Sequence, residues 1–453
     1  MGKQHLLADL VLYNAKIYTS EGIVEAGLAV DEGRIVKIAK ETNLPQASTR
    51  LNIRGQIVLP GLIDPHVHLR DQQLAYKEDF FSGTAAAAAG GITLTIDMPN
   101  NKPVTMSAES LKERMKLAET RTVVNVAFHS AFPKTLEEVS QIVKQGAVAF
   151  KLYLSQKIGG LDIEDDDAMT RAFSRAGEMK VPVAVHAEDR ETLENVKREM
   201  QQAERGDLEA YLKVHSPEAE LKAIRRTIKL AKKTSTHIHF CHVSLAEGLK
   251  AILTAKNRGF PITCEATPHH LLLSSKHLKR WKTVALMNPP LRTEENVKAL
   301  WTAFKQGLID TLASDHAPHT IEEKESEFIW NVKPGIPGFE TMLPLLLTQV
   351  NEGRLTLAGL IRASSKKPAE IFHIKDRGSL AEGFCADFVV VNMKQKHRID
   401  SSKFHSKARY SPFDGWIIKG RPTKTFVNGR LVMDDGEIVV KPGTGQIIRG
   451  EAV

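Results

Sequence analysis

Residues 57–70 read IVLPGLIDPHVHLR, an apolar run that ends in two histidines one residue apart, with an arginine two residues beyond. Further β-like runs follow at ITLTID (92–97), VVNVAFH (123–129), AVAFKLY (147–153) and VPVAVH (181–186). HIHFCHV (237–243), ITCEAT (262–267) and TLAS (311–314) complete the set. Polar amphipathic stretches such as SAESLKERMKLAE and ELKAIRRTIKLAKK lie between them. Short apolar runs alternating with helical periodicity predict βα units and a parallel sheet. Eight such units over about 310 residues close most simply as a (β/α)8 barrel. A doubly wound open sheet is the alternative, and it is weakened because no GxGxxG follows an early strand.

The two ends of the chain read differently. LVLYNAKIYT and GLAVDEGRIVKIA alternate, with turn signals at Ser20–Gly22 and Asp31–Gly33. ADFVVVNM and TFVNGRLVMDDGEIVV carry Asn428–Gly429 and Asp435–Gly436 between β runs, a strong hairpin signal. Both ends therefore predict one small β-sandwich assembled from residues 1–58 and 371–453, around a barrel of residues 59–370. The alanine run at 85–89, ended by Gly90–Gly91, predicts a short helix packed closely on a strand.

Composition excludes several classes. Of 453 residues, 42% are apolar and 26% charged, a profile that buries a substantial core. No apolar run approaches the roughly 20 residues that span a bilayer. The start, MGKQHLLADL, lacks the apolar stretch and cleavage site of a secretory leader, and MGKQHL lacks the hydroxyl of a myristoylation signal. Cys241, Cys264 and Cys385 are too few and scattered for a disulfide framework, which predicts a cytoplasmic protein. The net charge of +8 is spread along the chain without a basic stripe or interleaved aromatics, so no nucleic-acid partner is expected. The 17 histidines are more informative, because several fall in short motifs.

Barrel chemistry sits at the C-terminal ends of the strands. His66 and His68 share one side of a strand end, since residues i and i+2 point the same way. Lys151 ends AFKLY, His186 ends VAVH, His242 ends HFCH and Asp315 ends LASD. A snorkelling lysine and satisfied core histidines are the bland alternatives. Six such residues, each at a strand end or in the HxH pair, instead suit a binuclear zinc site. His66, His68 and Asp315 would hold one ion, His186 and His242 the second. An ammonium cannot ligate, but Lys151 carboxylated by CO2 would bridge the two. Such a pair lowers the pKa of bound water, and Asp315 would carry its proton to the leaving nitrogen.

PGLIDPHVHLRD, FKLYLS, VHAED, CHVS, CEATPHHLLL, MNPPLR, SDHAPH, PGFETMLPLLL and SPFDGWIIKGRPTKTFVNGRLV together resemble the dihydroorotases of the amidohydrolase superfamily. They run in that family's order over nearly the whole chain. HVHLR, MPN, NPPLR and DHAPH are the more specific motifs. The resemblance implies reversible cyclisation of N-carbamoyl-L-aspartate to L-dihydroorotate in pyrimidine biosynthesis, at two Zn2+ held by the six residues above. It implies that Arg70 and Asn100 hold the substrate carboxylate, that Asn288 contacts the ring and that His319 is a further contact. It also leaves open a homodimer and an association with aspartate carbamoyltransferase.

Arg70 supports this reading independently, because a guanidinium offers a planar bidentate fit to a carboxylate. An ion pair with Asp71, Glu78 or Asp79 is the alternative for that arginine. The nearest functional rivals are allantoinase and dihydropyrimidinase or hydantoinase, which would share the metal ligands. A non-catalytic dihydroorotase-like assembly partner is a further rival, opposed by the complete ligand set. After KLYL the chain reads SQKIGGL, with Lys157 and Ile158 where relatives carry lid residues, and Gly159–Gly160 suit a hinge. His129 and His269 receive no role.

Overall fold

The first apolar run is two strands, split at Pro60–Gly61. In the computed structural model, which describes residues 7–450, Ile57–Pro60 belongs to a sheet made by the chain ends. The segment MGKQHL lies outside the described residues. Leu62–Val67 opens the barrel. Proline lacks the N–H that would continue the ladder. Gly61 must be glycine, since a Cβ there would sit 2.1 Å from the Thr93 hydroxyl.

The barrel strands follow in chain order: β1 Leu62–Val67, β2 Ile92–Asp97, β3 Asn125–Ala131, β4 Ala149–Tyr153, β5 Val183–His186, β6 Ile238–Phe240, β7 Ile262–Ala266 and β8 Thr311–Leu312. Each pairs in parallel with the next. The seam closes through a parallel bridge between Val67 and His316, where the His68 N–H donates to the His316 carbonyl at 2.8 Å. Helices cover the outside, as the alternating pattern predicts. Both strand faces are buried, which is why these strands read as near-continuous apolar runs. The alanine run lies on the helix Phe80–Ala89, where Ala85–Ala88 are buried. This helix packs on β2 and on the helix Phe339–Asn351.

The chain ends share one nine-stranded sheet. Ile57–Pro60 joins its halves, parallel to Ala8–Thr19 and antiparallel to Phe388–Arg398. The two-residue turns Asn428–Gly429 and Asp435–Gly436 have positive φ, as primed hairpin turns require. Leu12, Ile17, Leu28, Val58, Phe388 and Phe426 form its core, with Phe388 and Phe426 stacked at 4.5 Å. Beyond the sheet the chain returns to the barrel, and Ile447 bridges in parallel to Val126 on β3. No helix among the described residues is long and apolar enough to cross a membrane.

Candidate metal centre and its cavity

The strand ends gather the predicted histidines into one contiguous group. Ring centroids of His66 and His68 are 5.4 Å apart, those of His66 and His242 5.1 Å, and those of His186 and His242 4.7 Å. Arg70, His242 and Asp315 have φ of 54°, 33° and 46°. Left-handed backbone at non-glycine residues costs on the order of 1–3 kcal/mol each and clusters at functional sites.

Outer partners fix which ring nitrogens face inward. His66 Nδ1 lies 2.5 Å from Glu265 Oε1, His68 Nδ1 2.7 Å from Asn100 Oδ1, and His186 Nε2 2.9 Å from Glu188 Oε2. Each partner oxygen can only accept, so those nitrogens carry the protons. The inward nitrogens are then lone pairs. His66 Nε2 and His68 Nε2 stand 3.5 and 3.2 Å from Asp315 Oδ1. His186 Nδ1 differs: it lies 3.0 Å from His242 Nε2, where the His242 N–H can donate to it, since His242 Nδ1 is buried with no partner among the described residues. Electron-pair donors facing one another in a buried site repel unless a cation lies among them. His66, His68 and Asp315 therefore form a donor cluster that could hold a metal ion, and imidazoles backed by acceptors are the arrangement that zinc sites use.

Electrostatics agree. Burial, helped by Lys151, pushes His66 down to about 4. His68 is driven well down by burial and Arg70, and His242 by burial and His186. Neutral imidazoles are the ligand form. Burial opposes ionisation of Glu265, but His66 and His239 outweigh it and hold the carboxyl well below its ordinary value. Burial raises Asp315. Lys151 is 1% exposed, donates to Cys241 Sγ at 2.9 Å and sits 4.9 Å from the Tyr153 ring centroid. A thiol and a ring face are weak partners for a buried ammonium.

The cluster opens on a cavity of about 730 Å³ lined by Arg70, Asn100, Asn288, Asp315 and His319 among others. Arg70 makes no ion pair with the acids near it in sequence. Asp71 pairs with Arg121, Asp79 with Lys407, and Glu78 bonds Ser82 and Ser406. The Arg70 guanidinium donates instead to the Pro318 carbonyl and to His319 Nε2, both at 3.3 Å. The Oδ1 of Asn100 is engaged by His68, and that of Asn288 by the Tyr211 hydroxyl. Each asparagine thus has Nδ2 left to donate.

His129 and His269 do not line the cavity. His129 Nε2 bonds the Pro65 carbonyl at 3.0 Å across the barrel, and burial pushes its ring down to about 3. Ile158 lines the cavity. The glycines beside it are not a free hinge. The Gly160 N–H bonds the Phe132 carbonyl at 2.8 Å, and a Cβ on Gly160 would meet Lys134 N at 2.2 Å. Sequence reasoning missed Glu265, Glu188, Lys77 and Glu323. A carboxylate inside the strand run ITCEA and another two residues after His186 were the available signals for the first two.

The chain matches the model of the Amidohydrolase family over residues 57–432. It is 36% identical to the dihydroorotase of Methanothermobacter thermautotrophicus over 445 residues, covering 98% of each chain. It is also 36% identical to the dihydroorotase of Bacillus cytotoxicus, over 92% of this chain and 97% of that one. Among solved structures, the L-hydantoinase (dihydropyrimidinase) of Arthrobacter aurescens superposes with a TM-score of 0.94 at 32% identity, over 98% of this chain and 100% of that one. The match begins at Ile57–Pro60 in the chain-end sheet, spans every barrel strand and runs into the C-terminal hairpin, so the chain belongs to the amidohydrolase family.

Proposed function

We propose that this protein is a dihydroorotase, closing N-carbamoyl-L-aspartate to L-dihydroorotate and reopening it, in the route to pyrimidine nucleotides. The single observation that carries this reading is Arg70. A buried guanidinium with no ion pair among the described residues opens on the cavity beside the donor cluster, and it suits a substrate carboxylate. Relatives named dihydroorotase at 36% identity support the same choice.

His66, His68 and Asp315 would hold one zinc ion and His186 and His242 a second, with carboxylated Lys151 between them. When bound, the two ions would activate water and polarise the amide carbonyl. Carboxylation would also turn the poorly partnered Lys151 cation into an anion among neutral imidazoles. The remaining work falls to side chains. Arg70 and the Asn100 Nδ2 hold the substrate carboxylate, the Asn288 Nδ2 donates to a ring carbonyl, and His319 lines the carboxylate end of the cavity against Arg70. In ring opening, water adds to the amide carbon, the C–N bond breaks, and Asp315 passes the proton of that water to the departing nitrogen. Ring closure runs the same steps backwards. A cytoplasmic location, a homodimer and an association with aspartate carbamoyltransferase belong to the same reading.

One observation favours a second reading, a hydantoinase. Leu193, Val214, Ile329 and Trp330 give the cavity an apolar wall that dihydroorotate has no side chain to fill. Incubating zinc-loaded protein separately with L-dihydroorotate, allantoin, dihydrouracil and 5-benzylhydantoin, and following ring opening, separates the two. Opening of dihydroorotate supports the first reading; opening of the benzyl-substituted ring alone supports the second.

A further inference from the structure

An ion pair stands behind Arg70, and the reaction above gives it no part. Lys77 and Glu323 both reach the cavity. Lys77 Nζ is 2.8 Å from Glu323 Oε2 and 3.1 Å from His319 Nδ1. That same Nδ1 is 3.0 Å from Glu323 Oε2, and Glu323 Oε1 accepts from the Tyr76 hydroxyl at 2.9 Å. Donor and acceptor rules resolve the crowding around the ring. Arg70 only donates, so His319 Nε2 accepts, at 3.3 Å. The ring proton is then on Nδ1, where it can go only to Glu323. Lys77 cannot donate to a protonated nitrogen and is held by the carboxylate.

The turn that carries Glu323 is itself fixed. The Glu323 N–H donates to Thr320 Oγ1 at 3.3 Å. Lys324, next in the chain and buried, donates to the carbonyls of Leu286, Lys333 and Gly335 at 2.9, 3.1 and 2.9 Å. Glu323 is therefore presented to His319 from a tethered backbone.

We propose that Glu323 and Lys77 are a positioning pair that keeps His319 in its Nδ1–H form and, through the Nε2 lone pair, aims Arg70 at a substrate carboxylate. This rests on the reading of the substrate as a carboxylate-bearing cyclic amide. The pair also makes an asymmetric prediction. If Glu323 is removed while Lys77 remains, the ammonium donates to Nδ1. The ring proton then moves to Nε2, where it opposes the Arg70 N–H and turns the guanidinium away. If Lys77 is removed as well, nothing forces the change.

The test uses zinc-loaded protein and the variants Glu323→Ala, Lys77→Met and their combination. Glu323→Ala should raise KM for dihydroorotate at least about tenfold, with kcat within roughly threefold of wild type. Adding Lys77→Met should bring KM back to within roughly threefold, a non-additivity that a scaffold defect would not give. Glu323→Gln, which keeps an acceptor, should retain most of the affinity. Long-range ¹⁵N–¹H spectra of histidine-labelled protein, with the signal assigned by its loss in His319→Asn, should show Nδ1–H in wild type and Nε2–H in Glu323→Ala. An unchanged KM in Glu323→Ala, a double variant as weak as that single one, or persistent Nδ1–H would each overturn the pair. If wild type leaves dihydroorotate intact, the functional reading falls, while the histidine spectra still decide the pair.

Discussion

Glu265 should govern zinc affinity without being a zinc ligand. Its Oε1 accepts from His66 Nδ1 and, at 2.9 Å, from the backbone N–H of His242, while Oε2 lies 3.1 Å from His239 Nε2. One carboxylate thus orients a proposed ligand of each ion. Acceptors of this kind contribute 10–100-fold in metal affinity, or about 1.4–2.7 kcal/mol. Glu265→Gln keeps an acceptor for His66 and loses the charge, so its loss should fall near the lower end, about tenfold. Glu265→Ala frees the His66 ring and uncovers the His242 N–H, so about 100-fold is expected. The assay is competition for zinc against a chromophoric chelator at neutral pH, with circular dichroism confirming that each variant is folded. Wild-type zinc affinity in folded Glu265→Ala would refute the claim that the outer carboxylate sets the inward lone pairs.

Three further outcomes follow from the same geometry. Lys151→Ala should lose zinc and activity and regain part of both with a short carboxylic acid; full activity without the acid would exclude a carboxylated bridge. Arg70→Met should abolish opening of dihydroorotate while zinc content by elemental analysis stays at the wild-type level; an undiminished kcat/KM would mean a substrate without a carboxylate. Glu340 is half-buried, and burial pushes its carboxyl up to about 8. The folded state therefore binds this proton more tightly than the unfolded chain, and the associated stability is present at low pH and lost as pH rises through 8. Between pH 7 and 9 the loss is roughly 1 kcal/mol, read as a fall in Tm that Glu340→Gln should flatten. An equal fall in the variant would assign the pH dependence to another group.

The barrel was legible because strands buried on both faces leave apolar runs that no surface pattern interrupts. ITLTID matches β2 residue for residue, and each later strand lies within or beside its run. The first run misled, because apolarity alone does not register that Pro60 and Gly61 pass the chain from one sheet to another. The proposed ligands announced themselves as polar residues at strand ends. The groups that orient them did not. Glu265 reads as one acid within a strand, yet it serves His66, nearly 200 residues away in the chain. Asn100 carried a substrate role in the sequence, and the structure adds His68 as the partner of its Oδ1. The Lys77–Glu323 pair joins two segments 246 positions apart that only barrel closure brings together. The Gly159–Gly160 pair suggested motion, because glycine spacing does not distinguish a hinge from a close backbone contact.

The central claim is that a buried arginine selects a cyclic amide bearing a carboxylate. It is tested most directly by comparing ring closure of N-carbamoyl-L-aspartate with that of N-carbamoyl-β-alanine, which differs only in lacking that carboxylate. A site built around a charged partner rejects the analogue that lacks it by large factors. The account predicts kcat/KM for carbamoyl aspartate at least about 10³-fold higher. Comparable closure of the two would contradict it.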